Sequence, residues 1–189
     1  MVHASFSEHA GKECFVRYGR YDSLNMLMAY NYGDAFSPLA FSVPTTIDLG
    51  AVGEIVINRL PGSPDKAKMP KQLRNIAHFA PRFGLNKEER RVTLSTAIIP
   101  PPEAPRALRR ILTVAVQALS ERPNLDTTME LVDRAERQII DSNKQYYEQV
   151  LKGVEEASSV PDQVSENIKT MAHHQLGLLN AYSFVRARG

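Results

Sequence analysis

Four tyrosines fall within fifteen residues near the start of the chain: Tyr18, Tyr21, Tyr30 and Tyr32, out of seven in all. A phenol both donates and accepts a hydrogen bond and stays neutral at pH 7, with a pKa of about 10. A group of phenols can line an apolar slot while polarising whatever enters it. The same residues also serve to fill a sheet surface and hydrogen-bond at their tips. Spacing alone leaves both readings open.

Other chemistry-bearing residues are sparser. His173 and His174 are neighbours and point to different sides of a helix, whereas a metal pair needs i,i+4 spacing. Cys14 is the one cysteine, so no intrachain disulfide framework or cysteine-rich zinc cluster is available. It alternates with the exposed side chains of a strand and reads as packed or partly buried. Arg106, Arg109 and Arg110, with Arg90 and Arg91, form either a solvated face or a docking surface for an acidic partner. The sequence has no Walker A loop, Gly-x-Gly-x-x-Gly, Gly-x-Ser-x-Gly or His-Glu-x-x-His.

The elements that must position these residues change character along the chain. Val2 to Ser7 and Cys14 to Tyr18 are short alternating runs that read as a hairpin. Ser23 to Tyr30 reads as a helix, with Leu24, Leu27 and Met28 at helical spacing and Asp22 or Ser23 as its cap. Ala40 to Asp48 and Val52 to Asn58 read as a second hairpin around Leu49-Gly50-Ala51. The turn cluster Pro61-Gly62-Ser63-Pro64-Asp65 is the best domain boundary. Lys71 to Phe79 reads as a short amphipathic helix, and Phe83-Gly84 with the charged Lys87 to Arg91 as a connector and helix start.

Beyond the stiff Pro100-Pro101-Pro102 the pattern is helical. Ala104 to Glu121 carries Leu108, Ile111, Leu112, Ala115, Val116 and Leu119 on one face. A long helix starts at Leu125 or Asp126, with Thr127-x-x-Glu130 as a capping box. Its packed residues are expected to be Val132, Ala135, Ile139, Tyr146 and Val150. A last helix starts at Pro161, with Val164, Ile168, Met171, Leu178 and Tyr182 on its apolar side.

Composition narrows the function classes. The chain has 189 residues, of which 43% are hydrophobic, enough for a real core. Its net charge of +2 argues against bulk nucleic acid as a partner. No apolar run approaches the roughly 20 residues that span a bilayer, and the first residues lack the features of a signal peptide. A soluble cytoplasmic protein of the α+β class is expected, with no nucleic-acid or membrane partner.

Gly11-Lys-Glu-Cys-Phe-Val-Arg-Tyr18-Gly19, followed by a polar stretch and Leu27-x-x-Tyr30, resembles the end of a SET domain. It is most similar to the Rubisco large-subunit methyltransferase type. In that family a glycine turn precedes an apolar strand ending in Tyr-Gly, and a helix leads to a second tyrosine, usually followed by glycine. Here Asn31 stands in place of that glycine. The likeness covers roughly residues 5 to 60, and the helical half lies where that family carries its substrate-binding domain.

The resemblance implies S-adenosyl-L-methionine-dependent methyl transfer to a protein lysine side chain. It implies that Tyr18 is the catalytic tyrosine, that Tyr18 and Gly19 contact the cofactor, and that Tyr30 and Tyr32 wall the lysine channel, with no metal. The expected organisation is a C-terminal portion of a SET-like domain over 1–62 and a helical substrate-binding-like domain over 63–189. SET enzymes also hold the cofactor with an early glycine-rich strand and an Asn-His-Ser-like segment, and neither is found. The chain therefore reads as a truncated or split SET methyltransferase. Its expected partners are a protein substrate and a second chain that completes the SET fold. Two rival readings stay open: a non-catalytic protein-interaction module with a vestigial SET segment, and an unrelated scaffold.

Overall fold

In a computed structural model, the structure describes residues 23, 26, 37, 40–58, 70–74, 83–94, 98–99, 106–121, 123–157 and 161–187. The expected first hairpin, Val2 to Tyr18, lies outside these residues. The chain is α+β: a small mixed sheet followed by three helices.

Strands β1 (Ala40–Phe41), β2 (Thr45–Asp48) and β3 (Glu54–Ile57) come first. Strands β4 (Phe83–Asn86), β5 (Arg91–Leu94) and β6 (Ile98–Ile99) follow a short helix α1 (Lys71–Arg74). Four strands form one sheet in the order β2-β3-β5-β4, and β1 pairs with β6 separately. The expected hairpin over residues 40–58 is present as the antiparallel β2–β3 pair, with Ile47 opposite Ile55. Its β-branched residues suit the pleated, half-buried surface, and Ile47, Ile55 and Ile57 turn inward.

The next pairing crosses the expected boundary at 62/63. Strand β3 runs parallel to β5, with Ile55 beside Val92 and Ile57 beside Leu94. Parallel neighbours need a crossover, and α1 lies within it, its Leu73 buried in the same core. The sheet and its core thus draw on both sides of that boundary, and β4, β5 and β6 lie in the part expected to be helical.

Residues 83–91 form a hairpin rather than a connector and helix start. Asn86 Oδ1 accepts from the backbone amides of Glu88 and Glu89, at 3.1 and 3.3 Å. Asparagine locks turns in this way by capturing nearby amides. Arg90 closes the turn at φ 48°, and its Nη1 donates to the Ala51 carbonyl at 2.9 Å. Gly53 sits directly opposite at φ 131°; a Cβ there would lie 2.0 Å from the Arg90 carbonyl oxygen. Only glycine tolerates both the backbone angle and the approach.

Helices α2 (Ala107–Leu119), α3 (Leu125–Glu156) and α4 (Asp162–Ala187) complete the chain. Helix α2 packs on β5, and α3 packs on β2. Leu108, Ile111, Leu112, Ala115 and Val116 of α2 join the sheet residues and Leu131, Val132, Ala135 and Ile139 of α3 in one cluster. Burying each Leu or Ile removes apolar surface worth about 1.5–3 kcal/mol from water. The cap of α3 is Asn124, whose side chain accepts from the Asp126 amide at 2.9 Å. The helix starts early enough that Asn124, not Thr127, occupies the capping position. At 32 residues, α3 is about 48 Å long at 1.5 Å per residue.

The distal half of α3 and helix α4 pack in a second cluster, with Ala40, Tyr147, Ala172 and Leu179 buried. Tyr147, rather than Tyr146, is the fully buried tyrosine here, and the two rings meet edge-on with centroids 5.3 Å apart. On α4 the buried residues are Met171, Ala172, Gln175 and Leu179, while Val164 is exposed. Of the expected face, Met171 is buried and Leu178 and Tyr182 pack against the core, while Val164 stands free of it; Ala172, Gln175 and Leu179 extend that face toward α3 and β1.

Candidate functional site

The seam between α3 and its neighbours holds polar side chains at positions where the surrounding residues are apolar. Three helical rows share a form: Val132-Glu136-Ile140, Ile139-Asn143-Tyr147 and Met171-Gln175-Leu179. In each, a fully buried polar residue sits between two buried apolar ones at i,i+4 spacing. Burying such a group is costly unless it is hydrogen-bonded, so each central residue must find partners.

Glu136 finds them on two helices. Its Oε2 accepts from Arg109 Nη1 of α2 at 2.6 Å, and its Oε1 accepts from the Tyr182 hydroxyl of α4. Arg109 Nη1 also donates to Asp133 Oδ1 at 2.6 Å. Burial opposes the Arg109 charge. The hydrogen bonds to Asp133 and Glu136 and their negative charge more than offset this, so its pKa is raised above the ordinary arginine value. A raised pKa on a cation stabilises the fold below the unfolded value and ceases to do so only as pH passes the still higher folded one. The link therefore persists across the neutral and mildly alkaline range. Arg109, expected either on a solvated face or on a docking surface, is instead a structural tie between α2 and α3.

Asn143 joins α3 to the chain just before β2. Its Oδ1 accepts from the Val43 amide at 3.0 Å, and its Nδ2 donates to Ser42 Oγ at 3.2 Å and to the Ile139 carbonyl at 2.8 Å. Gln175 and His174 do the same from α4. Gln175 Nε2 lies 3.5 Å from Ser23 Oγ, both residues being fully buried. His174 Nε2 is 2.8 Å from the Ser37 carbonyl; a carbonyl only accepts, so this ring nitrogen carries the hydrogen. His173 faces solvent, which agrees with the two histidines pointing apart.

A cavity of about 280 Å³ lies where the β2–β3 turn meets the junction of α2 and α3, lined by Ala51, Val52, Arg90, Leu119, Asn124 and Thr128 among others. Its walls mix methyl groups with an arginine, an asparagine and a threonine. Arg91, beside it in sequence, is paired with Glu54 and with Glu89. The expected basic face is therefore divided: Arg91 and Arg109 are in ion pairs, Arg90 is tied to a carbonyl, and Arg106 and Arg110 are exposed.

Tyr18, Gly19, Tyr30 and Tyr32 all lie outside the described residues, as do Tyr21 and Cys14. Ser23 and Ser37, on either side of Tyr30 and Tyr32 in sequence, lie within them. Glu136, Asn143 and Gln175 belong to no motif in the sequence. The signal that finds them is a lone polar residue in the middle of an apolar i,i+4,i+8 row. Among the described residues no three His, Cys, Asp or Glu side chains gather as metal ligands do, and no helix is long and apolar enough to cross a membrane. The chain matches no family model, no curated protein and no solved structure.

Proposed function

We propose that the chain carries the tyrosine segment and the helical substrate-binding half of a SET-type protein-lysine methyltransferase. The observation that carries this reading is the ordered run in the sequence: Gly11, the segment Phe15-Val16-Arg17, Tyr18-Gly19, a polar stretch, then Tyr30 and Tyr32. Tyr30 stands at the second tyrosine of that family, with Asn31 in place of the usual glycine. A mixed sheet and three helices after this run accord with a small β-rich part followed by a helical one.

S-adenosyl-L-methionine would supply the electrophilic methyl group. The protein's task is then to deliver a neutral lysine amine in line with it. A free lysine has a pKa of about 10.4 and is charged at pH 7. A dehydrated aromatic channel disfavours the ammonium and leaves the lone pair available. In this reading Tyr30 and Tyr32 wall that channel, and the Tyr18 hydroxyl orients the amine, so catalysis is positioning and electrostatics.

Calorimetric titration of S-adenosyl-L-methionine into the purified chain, followed by transfer of labelled methyl to protein lysine, tests this. Saturable binding near one per chain means that the chain holds a complete cofactor site, and loss of transfer in Tyr18→Phe is expected wherever that site is complete. A folded sample that binds no cofactor means that the chain is a partial SET relative whose site a second chain must complete, and a Tyr18→Phe variant with unchanged turnover overturns the catalytic reading. A non-catalytic protein-interaction module would then take its place.

A further inference from the structure

Helix α4 reaches back to the segment that carries the tyrosines. Gln175 and Ser23 are each 0% exposed, separated by 152 residues in sequence, and 3.5 Å apart at Nε2 and Oγ. One residue earlier on the same helix, His174 Nε2 donates at 2.8 Å to the carbonyl of Ser37, itself 3% exposed. Ala40 then packs with Ala172 and Leu179 in the second core cluster, three residues beyond Ser37. In sequence, Ser23 comes five residues after Tyr18, and Ser37 comes five residues after Tyr32. The two contacts therefore bracket Tyr30 and Tyr32.

We propose that Gln175 and His174 are positioning residues, by which α4 fixes both ends of the tyrosine-bearing segment 23–37. A buried glutamine is an expensive way to fill a core position that leucine would fill with no polar group to satisfy. Its amide Nε2 lies at the outer reach of a hydrogen bond from a buried serine hydroxyl at the near end of that segment. His174 holds the far end through the backbone, so that contact is independent of the side chain at position 37. The last helix of the chain is in this way tied to Ser23 and Ser37, which flank Tyr30 and Tyr32 in sequence. The consequence for catalysis rests on the methyltransferase reading, because a misplacement of about 1 Å in a reacting geometry costs about 10²-fold in rate. The anchoring itself does not rest on it.

The test separates the two. Gln175→Leu and His174→Leu remove the donors, and His174→Gln keeps one at a similar reach. Amide hydrogen exchange is followed over residues 18–37 and over β2–β3, and kcat and KM for labelled methyl transfer are measured on the same samples. Each Leu variant is expected to raise exchange over 18–37 by up to about tenfold, the worth of one hydrogen bond, with β2–β3 unchanged. His174→Gln should stay near the unsubstituted protein. Methyl transfer should lose kcat with KM for the cofactor unaltered. Unchanged exchange over 18–37, or an equal rise throughout the chain, overturns the proposal. Should Gln175→Leu fail to fold, His174→Leu at its half-buried site gives the same reading. Exchange that responds in a protein that transfers no methyl group leaves the anchoring established and the methyltransferase reading refuted.

Discussion

The two halves of the interior are built from different materials. Between the sheet and α2 the packed side chains are hydrocarbon: Ile47, Ile55, Ile57, Val92, Leu94, Leu108, Ile111 and Leu112. Along the seam that α3 makes with α2, α4 and the chain before β2, buried Glu136, Asn143 and Gln175 interrupt the apolar rows. A hydrocarbon core accepts any packing of the right volume, and stability there follows volume. A polar seam accepts only the arrangement that satisfies its groups. The sheet side supplies bulk stability, and the seam specifies how the long helices sit against each other and against residues 23–43.

That contrast can be broken by substitution. Leu112→Ala, on the hydrocarbon side, should cost about 4 kcal/mol through lost burial and the cavity left behind, read as a lower urea midpoint with an unchanged slope. Arg109→Met should cost about 3 kcal/mol, because it strands the buried Glu136 carboxylate with the Tyr182 hydroxyl and no cation from α2. The double variant Arg109→Met/Glu136→Leu should recover much of that loss, since removing both partners leaves no buried charge. A double variant no more stable than Arg109→Met would show that the seam is held by packing alone. Asn124→Ala should cost about 1 kcal/mol, the worth of an N-cap. Its effect should appear as fraying at the start of α3 and leave the seam intact.

The sequence disclosed elements best where local chemistry decides them. The β2–β3 hairpin is visible because runs of β-branched residues flank Gly50 on both sides, and the three long helices because their apolar rows repeat. Residues 83–91 misled for a physical reason. Phe83-Gly84-Leu85-Asn86 has no β-branched residue, and Lys87 to Arg91 carries the charges of a helix start. Pairing to β5 and the Asn86 turn decide the matter. The cap of α3 was misassigned by three residues because two competent capping residues stand close together. The face of α4 is legible through Met171, Leu178 and Tyr182, but buried Gln175 is not, because its surroundings are set by distant segments that no local window contains. Of the seam, the polar interruptions are present in the sequence, but their partners outside their own helices lie 27 to 152 residues away. The tyrosine segment remains readable as sequence alone.

The parallel register of β3 and β5 also sets an order of events during synthesis. Arg91 follows its neighbour Glu54 by 37 residues, so β3 has nothing to pair with on that edge until β5 has emerged. For that interval the nascent chain presents an open strand, Glu54-Ile55-Val56-Ile57, of the kind that captures other strands. Glu54 stands at the head of that strand as a charged gatekeeper until Arg91 arrives to meet it. A pause in synthesis before β5 has emerged would prolong the hazard, whereas a pause after its emergence would find the sheet already closed.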